Sequence, residues 1–328
     1  MSQRLSLAVQ SGDFAVPEEG RIAVFHPRDG HDLSALPTAQ VVVIQPQKPE
    51  YDSWTARGYL CRADTPADDR FAAAVVFVPR AKALARHLLA EAVVITDGPV
   101  LIDGAKTDGI DSIFKELKKR SAPSPAISKA HGKLFSIDAD LDLSDWRATP
   151  QEIAPGWVTG PGVFSADGID PASQLLAERL PLKLGKTVAD LGAGWGYLSR
   201  QILSREAVTT LHLVEADQGA LTCARQNVTD PRATFHWDDA RSWGAKGSLD
   251  TVVMNPPFHT GRTAEPALGQ AFIANAARLL KPAGQLWLVA NRHLPYETAL
   301  TDSFAQVEET ARDNRFKVLH AARPRRGR

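Results

Sequence analysis

Apolar residues in the first half of the chain gather in short runs, at 21–25, 41–44, 73–78, 92–95 and 100–102. Runs of this length, rich in valine and isoleucine, predict strands covered on both faces. Between them, apolar positions recur at helical spacing over 79–91 and 109–120, which predicts amphipathic helices. Strands alternating with helices imply an α/β layer around a mostly parallel sheet. Residues 121–124 read as a loop. Residues 138–162 are rich in Asp, Pro and Gly and carry no clear period, so the domain boundary is expected near Pro150.

The second half repeats the alternation more regularly. A helix is expected over 171–180. Strands follow at 187–191, 210–215, 233–237, 249–254 and 285–290, and a last one over 315–321 closes the sheet. Helices are expected after the first of these to about Arg205, after the second to Asn227, and over 270–280. The two halves have similar layouts, as an ancient duplication would leave them.

A length of 328 residues suits two domains. Hydrophobic residues make up 44 %, enough for packed cores, and Lys+Arg and Asp+Glu balance at 38 each. A chain that grips phosphates with its whole surface is basic, so any nucleic-acid contact here is local. Cys61 and Cys223 stand far apart without a CxxC or a histidine cluster. That argues against a zinc site or a disulfide scaffold; no metal is expected and a reducing cytoplasm fits. The N-terminus lacks the pattern of a secretory signal, and no stretch approaches the ~20 apolar residues of a membrane span.

Candidate chemistry concentrates in the second half. Val188-Ala-Asp-Leu-Gly-Ala-Gly-Trp-Gly196 is an apolar strand running into three alternating glycines and then a helix. Gly192, Gly194 and Gly196 let the backbone turn tightly and approach a ligand, with Ala193 and Trp195 in the slots between. Asp190 ends the strand, where its carboxylate can receive a cationic or amino-bearing group. Glu215, followed by Ala216, ends the next strand at the spacing of a ribose-binding carboxylate. Asp238 and Asp239 end the third; one of them, Asp239 by preference, is expected to accept the amine of an adenine. The G-x-G-x-G spacing favours S-adenosylmethionine over a nicotinamide cofactor.

The most specific motif is Asp250-Thr-Val-Val-Met-Asn-Pro-Pro-Phe258. Pro256 and Pro257 fix two φ angles and remove two N–H donors, which holds the carbonyls of the turn rigid. The Asn255 amide oxygen and the Pro256 carbonyl can then accept two hydrogen bonds from one planar amine. Such an amine is a poor nucleophile because its lone pair is delocalised into the ring, and acceptors that draw it toward tetrahedral geometry localise that pair. Phe258 can stack on the target base, worth ~1–3 kcal/mol.

Asp190-Leu-Gly-Ala-Gly-Trp-Gly196, Glu215 and Asn255-Pro-Pro-Phe258 resemble the class I S-adenosylmethionine-dependent amino-methyltransferases. More narrowly, Pro161-Gly-Val-Phe-Ser-Ala-Asp-Gly-Ile-Asp170, Ser173-Gln-Leu-Leu176, Asn255-Pro-Pro-Phe-His-Thr-Gly261 and Val289-Ala-Asn-Arg-His-Leu-Pro295 resemble the bacterial ribosomal RNA small subunit methyltransferase C family and its large-subunit relative, methyltransferase G. The first half is similar to that family's degenerate domain, best at Leu101-Ile-Asp-Gly-Ala-Lys. The resemblance implies two tandem Rossmann-like methyltransferase domains. Residues 1–149 would be degenerate, serving folding or RNA docking, and 150–328 catalytic. It also implies methylation of guanine N2 in ribosomal RNA of the small subunit, and it puts Phe164 and Ser165 beside the cofactor. His259 and Arg262 become candidate substrate contacts, and Arg292, His293 and the basic tail candidate phosphate contacts. His259-Thr260 departs from the family, whose members usually carry an acidic residue after the histidine, which leaves the particular RNA target open. Alternatives are the same chemistry on adenine N6 or a protein glutamine amide, a non-catalytic RNA-binding assembly factor, or a nicotinamide oxidoreductase. A monomer is the expected state.

Overall fold

The computed structural model describes residues 3–66, 68–257 and 266–325. The chain divides into two compact units, one of residues 1–150 with 160–162, the other of 151–159 with 163–328.

The first unit contains α1 (Arg4–Ser11), β1 (Ile22–Phe25), β2 (Val41–Ile44), α2 (Lys48–Ala56), β3 (Leu60–Arg62), β4 (Ala73–Phe77), α3 (Lys82–Ile95), β5 (Pro99–Ala105), α4 (Ile110–Leu117), β6 (Ile127–Lys129) and β7 (Gly132–Asp138). Its sheet runs β3-β2-β1-β4-β5-β7-β6, and only β7 runs antiparallel to its neighbours. Every residue of β1, β2 and β4 is buried, as a parallel sheet with helices on both faces requires. Ala23, Phe25, Val42 and Ile44 face one core with α3 and α4; Ile22, Val24, Val41 and Val43 face another with Leu5, Ala8 and Trp54. One expected strand is corrected. Residues 92–95 are the last turn of α3, where Ala85, Leu88, Leu89, Ala92 and Val93 form one buried stripe. Helical spacing and packing override the β-branched preference of a four-residue run.

The second unit opens with a hairpin inside the expected loop, β8 (Gln151–Ala154) and β9 (Trp157–Thr159). Next come α5 (Pro171–Arg179), β10 (Thr187–Leu191), α6 (Tyr197–Leu203), β11 (Thr210–Glu215), α7 (Gln218–Asn227), β12 (Ala233–Trp237), β13 (Leu249–Met254), α8 (Pro266–Leu279), β14 (Leu280–Asn291), α9 (Tyr296–Ser303), β15 (Phe304–Arg312) and β16 (Phe316–Pro324). The sheet order is β12-β11-β10-β13-β14-β16-β15, the same permutation as in the first unit, again with one antiparallel strand, β16. Strand β10 alternates its side chains between two cores: Ala189 and Leu191 toward α8 and α9, Val188 toward α5, α6 and α7. β10 pairs with β11 on one side and β13 on the other. Strand order reverses there, and ligands of open α/β sheets bind beyond the strand ends at such a switch point.

Strand registers align the two units residue by residue. Phe25 pairs with Ile44 and Val76; Leu191 pairs with Val214 and Met254. Counting from these pairs, the first unit has Val24 where the second has Asp190, His26 for Gly192, Gln45 for Glu215 and Phe77 for Asn255. His26 keeps a left-handed φ of 57°, beside 74° at Gly192. A backbone shape suited to glycine occurs in the first unit without the Asp, Glu and Asn of the second.

Candidate active site

The loop after β10 is built by glycines in a conformation other residues avoid. Gly192, Gly194 and Gly196 have φ of 74°, 55° and 91°, in the left-handed region that costs a side-chain-bearing residue ~1–2 kcal/mol. At Gly196 a Cβ would also lie 2.8 Å from Val228 Cγ2. The loop is tied to β11: Gly192 and Ala193 N–H groups donate to the Val214 carbonyl at 2.8 and 3.1 Å. Glu215 completes the tie, with Oε2 accepting from Gly194 N–H at 2.7 Å and Oε1 from Asp217 N–H at 2.8 Å.

Two carboxyls lie beneath this loop. Asp190 is fully buried; its Oδ2 accepts from the Ser199 hydroxyl at 2.7 Å and its Oδ1 has no hydrogen-bond partner among the described residues. Burial pushes its pKa up to about 7. Burial likewise pushes Glu215 up to about 7, against the opposing pull of the N–H groups it accepts. An unpartnered buried carboxyl oxygen beside a loop open to close approach is what a cationic, amino-bearing ligand requires. The residues present therefore fit S-adenosylmethionine.

A cleft opens over the loop, lined by Phe164, Asp170, Ser173, 192–195, Tyr197, Leu198 and Asn255. The glycine bend and the end of β13 thus meet in one cavity, with Phe164 at its mouth and 58 % exposed. The Asn255 Nδ2 donates to Asp170 Oδ2 at 2.9 Å and to Ser173 Oγ at 2.9 Å. Pro256 is buried and Pro257 exposed. Phe258, His259 and Arg262 lie outside the described residues.

Of the other expected residues, Trp195 also lines the cleft, whereas those at the ends of β11 and β12 do not. The Trp195 indole turns inward against Trp157, 5.3 Å between ring centroids, and its Nε1 donates to the Phe164 carbonyl at 2.9 Å. It thus anchors the segment that carries Phe164. Ala216 accepts from Trp237 Nε1 at 2.9 Å. Asp239, the preferred neighbour, is engaged by Arg241, whose Nε lies 2.9 Å from both carboxylate oxygens, whereas Asp238 accepts the Asp239 N–H at 2.7 Å. Glu215, Ala216, Asp238 and Asp239 stand at the ends of β11 and β12, beyond the lining of this cleft.

Sequence reasoning assigned no role to Asp170, Ser173, Tyr197, Leu198 or Asn227. Asp170 was within reach: it precedes Pro171 and accepts from Ser173 N–H at 2.8 Å, an N-cap that Asp-Pro-x-Ser announces. Asn227 had no local signal. Its Oδ1 accepts from Val158 N–H, and its Nδ2 donates to the Val158 and Trp195 carbonyls, each at 2.8 Å.

A seven-stranded sheet of this order with a glycine bend facing an Asn-Pro-Pro turn defines a class, and comparison agrees on it. The family model for the methyltransferase small domain matches residues 156–320. The ribosomal RNA small subunit methyltransferase C of Shewanella sp. (strain MR-4) is 32 % identical over 270 residues, 77 % of this chain and 78 % of that one. The protein of the same name from Idiomarina loihiensis is 28 % identical over 319 residues, 92 % and 93 % of the two chains. The chain belongs to the ribosomal RNA small subunit methyltransferase C family. Its fold is shared by the T. thermophilus 16S rRNA N2 G1207 methyltransferase, solved in complex with AdoMet and guanosine: TM-score 0.75 and 24 % identity, covering 96 % of this chain and 90 % of that one.

Proposed function

We propose that the chain methylates the exocyclic N2 amine of a guanine in 16S ribosomal RNA of the small subunit, in the cytoplasm, using S-adenosylmethionine. One observation carries this reading: the glycine loop and Asn255 line the same cleft, so a donor held on the loop and an amine held at the turn are neighbours. The donor supplies a methyl group on a sulfonium, already a strong electrophile. Asp190 and Glu215 would hold its amino and ribose groups, and Asp238 or Asp239 would accept from its adenine amine. The Asn255 oxygen and the Pro256 carbonyl accept from the target amine and localise its lone pair. Alignment of two reactants in one cleft supplies most of the rate, and proton loss follows transfer, so the site needs no strong base. Phe258 stacks on the guanine, and His259 and Arg262 contact the RNA. Residues 150–328 form the catalytic domain. Residues 1–149 bind no donor and serve folding or RNA docking, in keeping with Val24, Gln45 and Phe77 at the positions of Asp190, Glu215 and Asn255.

Asn255→Ala is expected to abolish methyl transfer while leaving donor affinity within a few-fold. Incubating small subunits with methyl-labelled donor and mapping the labelled nucleotide tests the substrate; unchanged turnover in Asn255→Ala removes the role given to that residue.

A further inference from the structure

We propose that Asp170 and Ser173 are positioning residues that fix which end of the Asn255 amide meets the substrate amine. This rests on the reading of Asn255 given above. An asparagine amide has nearly the same shape whichever way it is turned, but opposite hydrogen-bonding character at its two ends. If its –NH₂ faced the substrate, two donors would oppose one another and the amine lone pair would stay in the ring. A carboxylate accepts and cannot donate, so the end of Asn255 that lies 2.9 Å from Asp170 Oδ2 is the –NH₂. Ser173 Oγ, also at 2.9 Å, takes the second N–H. The oxygen is then the end left for the amine, and among the described residues none donates to it.

The device joins distant parts of the chain, Asp170 and Ser173 standing 85 and 82 residues before Asn255. It is rigid because Asp170 is itself held. The same Oδ2 accepts from Ser173 N–H at 2.8 Å as the cap of α5, and Ser173 is buried. A charged acceptor makes a stronger hydrogen bond than a neutral one and polarises the amide, which makes its oxygen a better acceptor.

The test separates positioning from capping. Ser caps a helix as well as Asp does, so Asp170→Ser preserves α5 while its shorter side chain withdraws the carboxylate from Asn255. In the wild-type background it should lower kcat roughly 10- to 100-fold, the effect of a misplaced reacting group, with donor affinity unchanged. Asn255→Asp sets two carboxylates against each other and should also lose activity. In that background Asp170→Ser should restore at least about tenfold, because it removes the carboxylate that faces the new one. A residue that merely capped a helix would not be harmful in one background and helpful in the other. If the double variant is no better than Asn255→Asp alone, the proposal is overturned. A separate readout needs no turnover: the side-chain ¹⁵N–¹H₂ signals of Asn255, assigned by their loss in Asn255→Asp. Their exchange with water should be slow in the wild type and faster in Asp170→Ser, which keeps a cap, and in Ser173→Ala. Equal exchange overturns the proposal. Slow exchange in a wild type that leaves small subunits unlabelled fails the substrate assignment instead.

Discussion

Asn227→Asp changes one –NH₂ for an oxygen at the point where α7, β9 and the glycine loop join. Asn227 is 7 % exposed, and all three of its hydrogen bonds are 2.8 Å long. The acceptor role toward Val158 N–H survives in the aspartate. The two donated bonds do not, and the ionised oxygen faces the carbonyls of Val158 and Trp195. A buried acceptor stripped of its donor costs about 1–3 kcal/mol. Asn227 also borders a surface groove with Arg200 and Asp230, so water relieves part of the loss. The expected destabilisation at pH 8 is therefore about 2–4 kcal/mol.

The sign with pH follows from the same geometry. A carboxyl facing two carbonyls has a folded pKa raised above its unfolded value of about 3.9. Its contribution to stability is fully present below the unfolded value and is lost as pH rises through the folded one. On acidification a single O–H can serve one of the two carbonyls, so about 1–2 kcal/mol should return by pH 5. The assay is urea unfolding of variant and wild type at pH 8 and pH 5, followed by tryptophan fluorescence. Five of the seven tryptophans, 157, 195, 237, 243 and 287, belong to the second unit. Taking the difference between the two proteins cancels the titration of Asp190 and Glu215. A difference below about 0.5 kcal/mol, or one that is equal at both pH values, refutes the bridging role.

Asp190 and Glu215, each pushed up to about 7 by burial, should bind protons in the free chain and release them when a cationic donor binds. Affinity should then rise from pH 6 to pH 8, and calorimetry in two buffers of different ionisation heat should show the protons leaving; a flat profile contradicts this. In the free chain the same two groups stabilise most below their unfolded pKa values near 4 and lose that contribution as pH climbs through 7, so Glu215→Gln should flatten stability between pH 5 and pH 8. Gly196→Ala combines left-handed strain with a Cβ 2.8 Å from Val228 and should cost about 2–4 kcal/mol in a thermal melt; Gly194→Ala, with nothing within 4 Å, should cost only the strain. Calorimetric titration should find one donor molecule per chain, and a second tight site would contradict the account of the first unit.

What the sequence made legible was whatever repeats locally. Four strands of the first sheet, β1, β2, β4 and β5, and six of the second were foreshadowed by apolar runs, because parallel strands buried on both faces need no partner to announce them. The glycine bend and the Asn-Pro-Pro turn were legible for a related reason: each is a backbone demand that few residue types satisfy. Strands β3, β6 and β7 and the hairpin β8–β9 were not legible, and neither were the following. Residues 92–95 read as a strand, since four apolar residues do not reveal their period. Strand β15 reads Phe-Ala-Gln-Val-Glu-Glu-Thr-Ala-Arg and is mostly exposed, so no apolar pattern marks it. Asn227 and the Asp170–Asn255 bond act across 69 and 85 residues, and nothing near any of these residues in the chain shows which partner it will meet.

The first unit shows that the fold alone does not make the proposed site. It has the same strand order, the same single antiparallel strand, and at His26 the left-handed backbone that Gly192 uses. Burying apolar strands between helices requires only size and pattern, so the sheet survives replacement of every polar residue at its switch point. Around the relic bend the structure has closed in: Gln45 Nε2 and Trp54 Nε1 both donate to the Pro27 carbonyl, at 2.7 and 2.9 Å, and the His31 ring stacks on Phe77 with 4.0 Å between centroids. A ligand at that position would have to displace a packed aromatic pair and break buried hydrogen bonds. The second unit instead keeps Asp190 with an unpartnered oxygen and leaves its cleft lined by glycine backbone. That arrangement lowers the stability of the free chain, because a buried acceptor goes without a donor. The two units therefore differ in the residues they carry on a common scaffold, Asp190, Gly192, Glu215 and Asn255 against Val24, His26, Gln45 and Phe77.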